Sequence, residues 1–445
     1  MAQDRDELNK RRAAREAKRK QREAAERRMK IRLIFVSIAL VACICGIFLL
    51  TKDVAPAEGE STPTVPVETT VPETTVPPTQ SNSRNEQPTS TVIHIKAAGD
   101  LNITDKTVAS ADTDLGYDYT RPFLDVSSLL ADADLTVMNF EGNICGEPYG
   151  STSVSAPKEL LTALANAGVD VLQMANSYSI YNGMIGMAQT LSQIRAAGIE
   201  PLGAYTNESE FRQGKGYTIC DVQGVKVALV AFTKGMGSLG LPSGSENCVN
   251  VLYKDYATTY RDVDKEKIKS ILKKAQSEEP DITIALLHWG SEFNDTISDT
   301  QKSILELMKA NGVDAVIGTH SHMVHEVNYD SATGFLVAYS LGDFFGDGVR
   351  GGTNYSIILD LEITKDHESG ITKITDYGYT PLYILSKGES ADGNRRVVRI
   401  RETMAAYDVN FVDKVTGSAY ESMKTALERI NSRVSGELTN QEKKK

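Results

Sequence analysis

An apolar strand that runs straight into two histidines, Ala315-Val316-Ile317-Gly318-Thr319-His320-Ser321-His322, constrains this chain more than any other feature. It presents two imidazoles at the end of a buried strand, which is how a chain offers them to a metal ion. A second run, Ile282 to Leu287, ends in His288, and a third, Leu135 to Phe140, ends in Glu141. Asp100 and Asn176 also follow runs of strand character. In open α/β sheets, sites form at the carboxyl ends of strands. Recurrent polar strand ends therefore predict a layered α/β domain with one site along that edge. A transition metal needs at least three protein ligands, so Asp100 and Glu141 are the candidate oxygen donors beside His288, His320 and His322.

The remaining pattern agrees with such a domain. The stretch from Thr91 to Ala98 alternates as a strand and breaks at Gly99-Asp100. Segments 158–167 and 184–197 read as helices closed by Gly168 and Gly198, glycine being the usual residue just past a helix end. Runs 217–221 and 225–232 flank Gln223-Gly224 and predict a β-hairpin. A helix over 264–277 precedes a β-α-β unit made of 282–287, 301–310 and 315–318, with further strands at 335–339 and 355–363. Beyond Ala419, the residues Tyr420, Met423, Leu427, Ile430 and Val434 have the spacing of a docking helix. His94 in mid-strand, His325 and the turn residue His367 read as structural.

Charge is divided along the chain. Residues 1–32 carry 13 Lys/Arg against 6 Asp/Glu, and since the totals are 48 and 59, the rest carries 35 against 53. Between these parts, 33–50 has no charged residue, and its length roughly spans a bilayer core of ~30 Å. The preceding positive excess predicts a single-pass membrane protein with a cytoplasmic N-terminus and an extracytoplasmic C-terminal domain. Leu40-Val41-Ala42-Cys43 has the form of a lipoprotein cleavage box, but the apolar run continues past Cys43, which favours a retained anchor. The basic segment, diluted by Glu16, Glu23 and Glu26, suits the anionic inner leaflet of the cell membrane and predicts no nucleic-acid partner.

Residues 51–90 are rich in Thr, Pro, Val and Glu and hold 7 of the 14 prolines, so they read as an extended, disordered stalk with a reach on the order of 100 Å. The expected organisation is thus 1–32 basic and cytoplasmic, 33–50 transmembrane, 51–90 linker, 91–400 the main domain, and 401–445 a C-terminal helical tail. Of the five cysteines only Cys145, Cys220 and Cys248 lie beyond the span. They allow at most one disulfide and form no metal motif.

In order along the chain, Gly99-Asp100, Asn139-Phe140-Glu141, Ala175-Asn176, His288-Trp289-Gly290-Ser291-Glu292, the Gly318 to His322 run and Tyr339-Ser340-Leu341-Gly342-Asp343-Phe344 resemble the CapA-type capsule (poly-γ-glutamate) biosynthesis proteins over residues 92–385. The resemblance implies a calcineurin-like metallophosphatase fold, an α/β/β/α sandwich. It also implies one or two divalent ions of Mn, Fe or Zn, the first on Asp100, Glu141 and His322, and the second bridged by Glu141 to His288 and His320. The implied partners are an envelope-polymer synthase complex and an anionic polymer or phosphate-containing precursor.

One stretch departs from the family. Its Ala-Asn-Asn-His-x-x-Asp reads here Ala175-Asn176-Ser177-Tyr178-Ser179-Ile180-Tyr181, and residue 343 is Asp where the family usually has Asn. Hydroxyls bind divalent metals poorly, and a tyrosine of pKa ~10 is a weak acid for neutral-pH chemistry. The candidate reacting residues are therefore Asn176, Tyr178 and Asp343. Two expectations stand: a metal-dependent phosphoesterase or hydrolase, and a non-catalytic polymer- or partner-binding subunit with a degenerate metal site.

Overall fold

The computed structural model describes residues 89–409, 415–434 and 437–438. The predicted transmembrane helix at 33–50, the basic segment and nearly all of the stalk lie outside the described residues. No helix among the described residues is long and apolar enough to cross a membrane.

In chain order the strands are β1 (Ser90–Asn102), β2 (Asp112–Thr113), β3 (Gly116–Tyr117), β4 (Leu135–Glu141), β5 (Val171–Gln173), β6 (Glu200–Leu202), β7 (Tyr217–Val222), β8 (Val225–Thr233), β9 (Ile282–His288), β10 (Ala315–Thr319), β11 (Val327–Asp330), β12 (Phe335–Ala338), β13 (Asp343–Phe345), β14 (Tyr355–Asp366), β15 (Thr372–Leu385), β16 (Arg396–Arg399) and β17 (Glu437–Leu438). A nine-stranded sheet has the order β16-β15-β14-β1-β4-β5-β6, with β13 on β1 and β17 on β15, and a six-stranded sheet has the order β11-β12-β10-β9-β8-β7. The hairpin and the β-α-β unit form as predicted: β7 pairs antiparallel with β8, and β9 lies parallel to β10.

Alternation along the strands makes the layers. Val227, Leu229 and Ala231 of β8, with Ile282, Ile284 and Leu286 of β9, join the core shared with the large sheet. The intervening Ala228, Val230, Phe232, Ala285 and Leu287 face the other way, into a second core with Ile268, Ile271 and Leu272 of the helix Lys265–Gln276 and with Ile304 and Met308 of the helix Asp299–Lys309. Successive side chains on a strand point to opposite faces, so a sheet apolar on both faces must be covered on both. Helices Glu159–Asn166 and Gly183–Ala196 bury Leu160, Leu161, Leu164, Met187, Leu191 and Ile194 into the core of the large sheet. These layers make the expected mixed α/β sandwich.

The predicted break of β1 at Gly99-Asp100 does not occur. β1 continues to Asn102, with a register shift against β4 between Ala98 and Asp100. Gly99 permits this, because a Cβ there would lie 1.8 Å from the Gly342 carbonyl oxygen, and the Asp100 amide donates to that same oxygen at 3.0 Å. The bulge turns Asp100 inward and sets it opposite Asp343 of β13.

At the C-terminal end, the helix Gly417–Asn431 buries Ala419, Met423, Ala426 and Ile430, so Met423 and Ile430 dock as their spacing predicts while Tyr420 and Leu427 stay partly exposed. Cys145, Cys220 and Cys248 form no disulfide among the described residues.

Replacing Gly99 with alanine is expected to destabilise the domain by about 3 kcal/mol or more, since overpacking against backbone cannot relax through a rotamer. Gly351→Ala, where the new methyl meets nothing within 4 Å, is the control and should be near neutral. Urea unfolding of the two variants checks both.

Candidate metal centre

The carboxyl ends of parallel strands from both sheets meet at one buried place. Glu141 ends β4, His288 ends β9, His320 follows β10, and Asp100 and Asp343 lie side by side on β1 and β13. Two sets of ligand-type atoms result, Glu141 with His288 and His320, and Asp100 with His322 and Asp343, the atoms of each set lying within 4.8 Å of one another. Glu141 faces both: its Oε1 is 3.1 Å from His288 Nε2, and its Oε2 is 3.9 Å from His322 Nε2. Asp343, a candidate reacting residue from sequence, sits among the ligand-type groups with its Oδ1 2.8 Å from His322 Nδ1.

The backbone is bent to achieve this. His320 and His322 have φ of 93° and 61°, a left-handed region that non-glycine residues seldom occupy and that costs of order 1–3 kcal/mol each. The turn directs the His320 amide onto Asp100 Oδ2 at 3.1 Å. It also depends on Gly318, where a Cβ would lie 2.0 Å from the Tyr339 carbonyl oxygen. Trp289 donates its indole N–H to that carbonyl at 3.0 Å and stacks on the Tyr339 ring, so the tryptophan of the His-Trp-Gly motif is a brace for the strand ends.

Around these groups lies a shell of hydrogen bonds. Asn139 Nδ2 donates to Asp100 Oδ1 at 2.5 Å and lies 3.4 Å from both Glu141 Oε1 and His288 Nδ1. Asn102 donates to Asp343 at 2.9 Å, and His288 Nδ1 is 3.1 Å from Thr319 Oγ1. A partner at Nδ1 fixes the ring and leaves Nε2 for a ligand role. Sequence reading quoted Asn139 only as part of a motif, and its central position becomes visible only when β1, β4 and β9 are brought together.

Asn176 is buried and fully used: its Nδ2 donates to the Phe140 carbonyl at 2.7 Å and to Asn139 Oδ1 at 3.2 Å, and its Oδ1 accepts from the Tyr178 amide at 3.0 Å. It fixes the loop that follows β5 rather than facing the cleft. That loop places Ser177 Oγ 3.0 Å from His288 Nε2 and 3.5 Å from His320 Nδ1. The Ser177 hydroxyl therefore lies beside two of the ligand-type imidazoles.

The charges explain one another. Burial pushes Asp100 up to about 6, opposed by the neighbouring His322. Glu141 is held well above the usual carboxylate range by burial and by the charge of Asp100, and Asp343 is raised by burial against the pull of His322. His288 and His320 are kept neutral, well below ordinary imidazole values, first by burial and then by His320 and Lys234 respectively. Burial also works against a charge on His322, yet Asp343, Glu141 and Asp100 hold it well above its ordinary value. His288 Nε2 and His320 Nδ1 are only 3.0 Å apart, so one proton shared between them, or one ion, can serve both rings. The donor set, imidazole nitrogens with carboxylate oxygens, fits Zn, Mn or Fe.

A cleft of about 600 Å³ opens over Ser177 and His320 and is lined further by Tyr178, Tyr181, Lys234, Tyr260 and Glu292. Tyr178 is pushed up to about 12 by burial and by the carboxylates of Glu141 and Glu292, so it holds its proton and is available as a hydrogen-bond donor. The other histidines lie apart from the centre: His94 pairs with Asp360, His325 contacts the Asn294 carbonyl, and His367 contacts Thr91.

A two-sheet α/β sandwich thus gathers ligand-type side chains at its strand ends. The profile of the bacterial capsule synthesis protein family PGA_cap matches residues 94–347, more than half of the 445 residues, and the chain belongs to that family. The capsule biosynthesis protein CapA of Bacillus anthracis is 26% identical over 244 residues, 52% of this chain and 54% of the relative. The PGA biosynthesis protein CapA of Bacillus subtilis (strain 168) is 26% identical over 260 residues, 58% of this chain and 62% of the relative. The match thus spans little more than half the length of these relatives. Among solved structures, the calcineurin-like phosphoesterase YfkN from Bacillus subtilis is 16% identical with a TM-score of 0.38, covering 77% of this chain and 97% of that chain, a likeness that carries no argument about chemistry.

Divalent-cation affinity should rise with pH. Asp100, pushed up to about 6, and Glu141 and His322, held above their ordinary values, bind protons that an ion must displace, whereas His288 and His320, held below theirs, do not. Each proton displaced on binding contributes about tenfold in affinity per pH unit. Calorimetric titration of Mn²⁺ at pH 5.5, 6.5 and 7.5 is expected to show this rise, and an affinity flat across the series would contradict the assignment of these groups as ligands.

Proposed function

We propose that the chain is a membrane-anchored, extracytoplasmic CapA-like protein of capsule or cell-envelope polymer biosynthesis, acting as a metal-dependent phosphoesterase or related hydrolase on an anionic, phosphate-containing precursor. The supporting observation is that Glu141 faces both ligand sets and that His320, a member of one of them, lines an open cleft. Asp100, His322 and Asp343 would hold one ion, and His288 and His320 the other, with Glu141 shared. Divalent ions bound there polarise phosphoryl oxygens and lower the pKa of a water. Ser177 offers a hydroxyl beside His288 and His320, and Tyr178 offers a hydrogen bond to an oxyanion without giving up its proton.

In this reading the basic residues 1–32 lie at the inner face of the membrane, 33–50 cross it, 51–90 form the stalk, and the domain at 91–400 with its tail at 401–445 works outside. A second reading is favoured by Tyr178 alone: with its phenol pushed up to about 12, the cleft retains an anionic polymer or precursor without cleaving it, as an accessory of an envelope-polymer synthase complex.

Metal content of the detergent-solubilised full-length chain, read by mass spectrometry after loading with Mn²⁺, Fe²⁺ or Zn²⁺, is expected to be near-stoichiometric and to vanish in a His320→Ala/His322→Ala variant. No metal above that background would end the hydrolase reading. Restoring the family residues with Ser177→Asn/Tyr178→His should raise phosphodiester hydrolysis by about 10²-fold, the usual worth of a positioned acid, with metal content unchanged. A metal-loaded protein inactive in both forms would establish the second reading. For the topology, protease added to wall-stripped intact cells should digest the domain and spare the N-terminal segment.

A further inference from the structure

Lys234 stands in the cleft and is not one of the ligand-type groups of the centre just described. It is the first residue after β8 and half-buried, and its amide donates to the carbonyl of the ligand residue His288 at 2.8 Å. Its Nζ donates to the Gly290 carbonyl at 2.8 Å and lies 4.7 Å from the centroid of the Tyr260 ring. Among the described residues no carboxylate pairs with it, and Glu292 acts on it only at longer range. An ammonium withdrawn from water without a counter-ion is costly, and a fold keeps one at a cleft wall where a ligand supplies the missing charge.

The surroundings hold this ammonium in place. Gly235, the next residue, has no room for a side chain, since a Cβ would lie 2.2 Å from the Tyr256 carbonyl oxygen and 2.8 Å from the Tyr260 ring. Tyr260 has φ of 55° and donates its hydroxyl to the Gly237 carbonyl at 2.9 Å. The loop after β8 is thereby clamped beneath the ring that Lys234 faces. Lys234 also bears on His320 electrostatically, so its charge is felt at the edge of the ligand set.

We propose that Lys234 is the anion-recognition residue of the cleft, receiving a second oxyanion, phosphate or carboxylate, that adjoins the group held at Glu141, His288 and His320, so that the site selects ligands carrying two anionic groups in succession. The inference deepens the proposed function and rests on it for the position of the first group. Beyond residue 32 the chain is strongly acidic, with 35 Lys/Arg against 53 Asp/Glu, and Glu292 shares the cleft. General attraction therefore does not gather polyanions here, and a fixed local cation is what distinguishes a second negative group from solvent.

The test titrates pyrophosphate, inorganic phosphate and glutarate into the full-length chain by calorimetry, both metal-loaded and chelator-treated, with metal content read in parallel. Lys234→Gln is expected to weaken pyrophosphate or glutarate binding by about tenfold or more, as loss of a charge-assisted contact does, while weakening inorganic phosphate far less and leaving metal content unchanged. Lys234→Arg should recover most of the loss. Preference for pyrophosphate or for glutarate assigns the second group as phosphate or carboxylate. Equal effects on one-anion and two-anion ligands, no effect of Lys234→Gln, or no binding of any two-anion probe to the wild-type chain would overturn the proposal. A wild-type chain that holds no metal defeats the metal-centre reading alone; Lys234-dependent pyrophosphate or glutarate binding in that protein still upholds the anion site, and its absence overturns it.

Discussion

Three carboxylates and three imidazoles share one buried volume, and none of the charged ones is tolerable there without the others. His322 is surrounded by Asp343, Glu141 and Asp100, and Asp100 is further satisfied by Asn139 and by the His320 amide. Isolated charges in such a place cost several kcal/mol each. The mutual compensation explains otherwise expensive features of the backbone: the bulge at Gly99, the pairing of β13 onto β1, and the left-handed turns at His320 and His322. Each brings one of these groups within reach of the next, across two sheets whose facing sides are otherwise mainly apolar.

The strand ends were legible in the sequence because burial writes them plainly: an apolar run followed by Glu141, His288 or His320 has few other meanings. The layered fold, the hairpin around Gln223-Gly224 and the β-α-β unit from 282 to 318 followed from periodicity for the same reason. Other parts depend on tertiary pairing. β15 runs through Gly378 and Pro381, and the proline is tolerated because β16 pairs only with Leu382 to Leu385 and leaves Pro381 beyond its end. β13 is three residues long and exists only because β1 bulges to meet it. Asn139 and Lys234 had no local signal, since what distinguishes them is the company they keep in space.

The substituted loop is the most instructive case. Read as letters, Ser177, Tyr178 and Tyr181 suggest erosion of a catalytic motif. In place, Asn176 still anchors the loop to the Phe140 carbonyl, Ser177 still points an oxygen at His288 and His320, and Tyr178 and Tyr181 pack edge to face at the cleft wall. The loop thus carries a hydroxyl and two phenol rings where the family pattern has an amide, an imidazole and a carboxylate.

Arg433, just past the helix Gly417–Asn431, reaches the Val324 carbonyl at 2.6 Å and Asp295 at 2.7 Å. Val324 lies two residues beyond His322, and Asp295 three beyond Glu292, so one guanidinium ties together the two loops that border the centre. A shortened chain ending before Arg433 would contain every ligand and every cleft residue and still lack the strap across them. The boundary of the working unit is therefore set by this distant arginine, which touches no ligand, and a minimal version of the domain has to be drawn to include it.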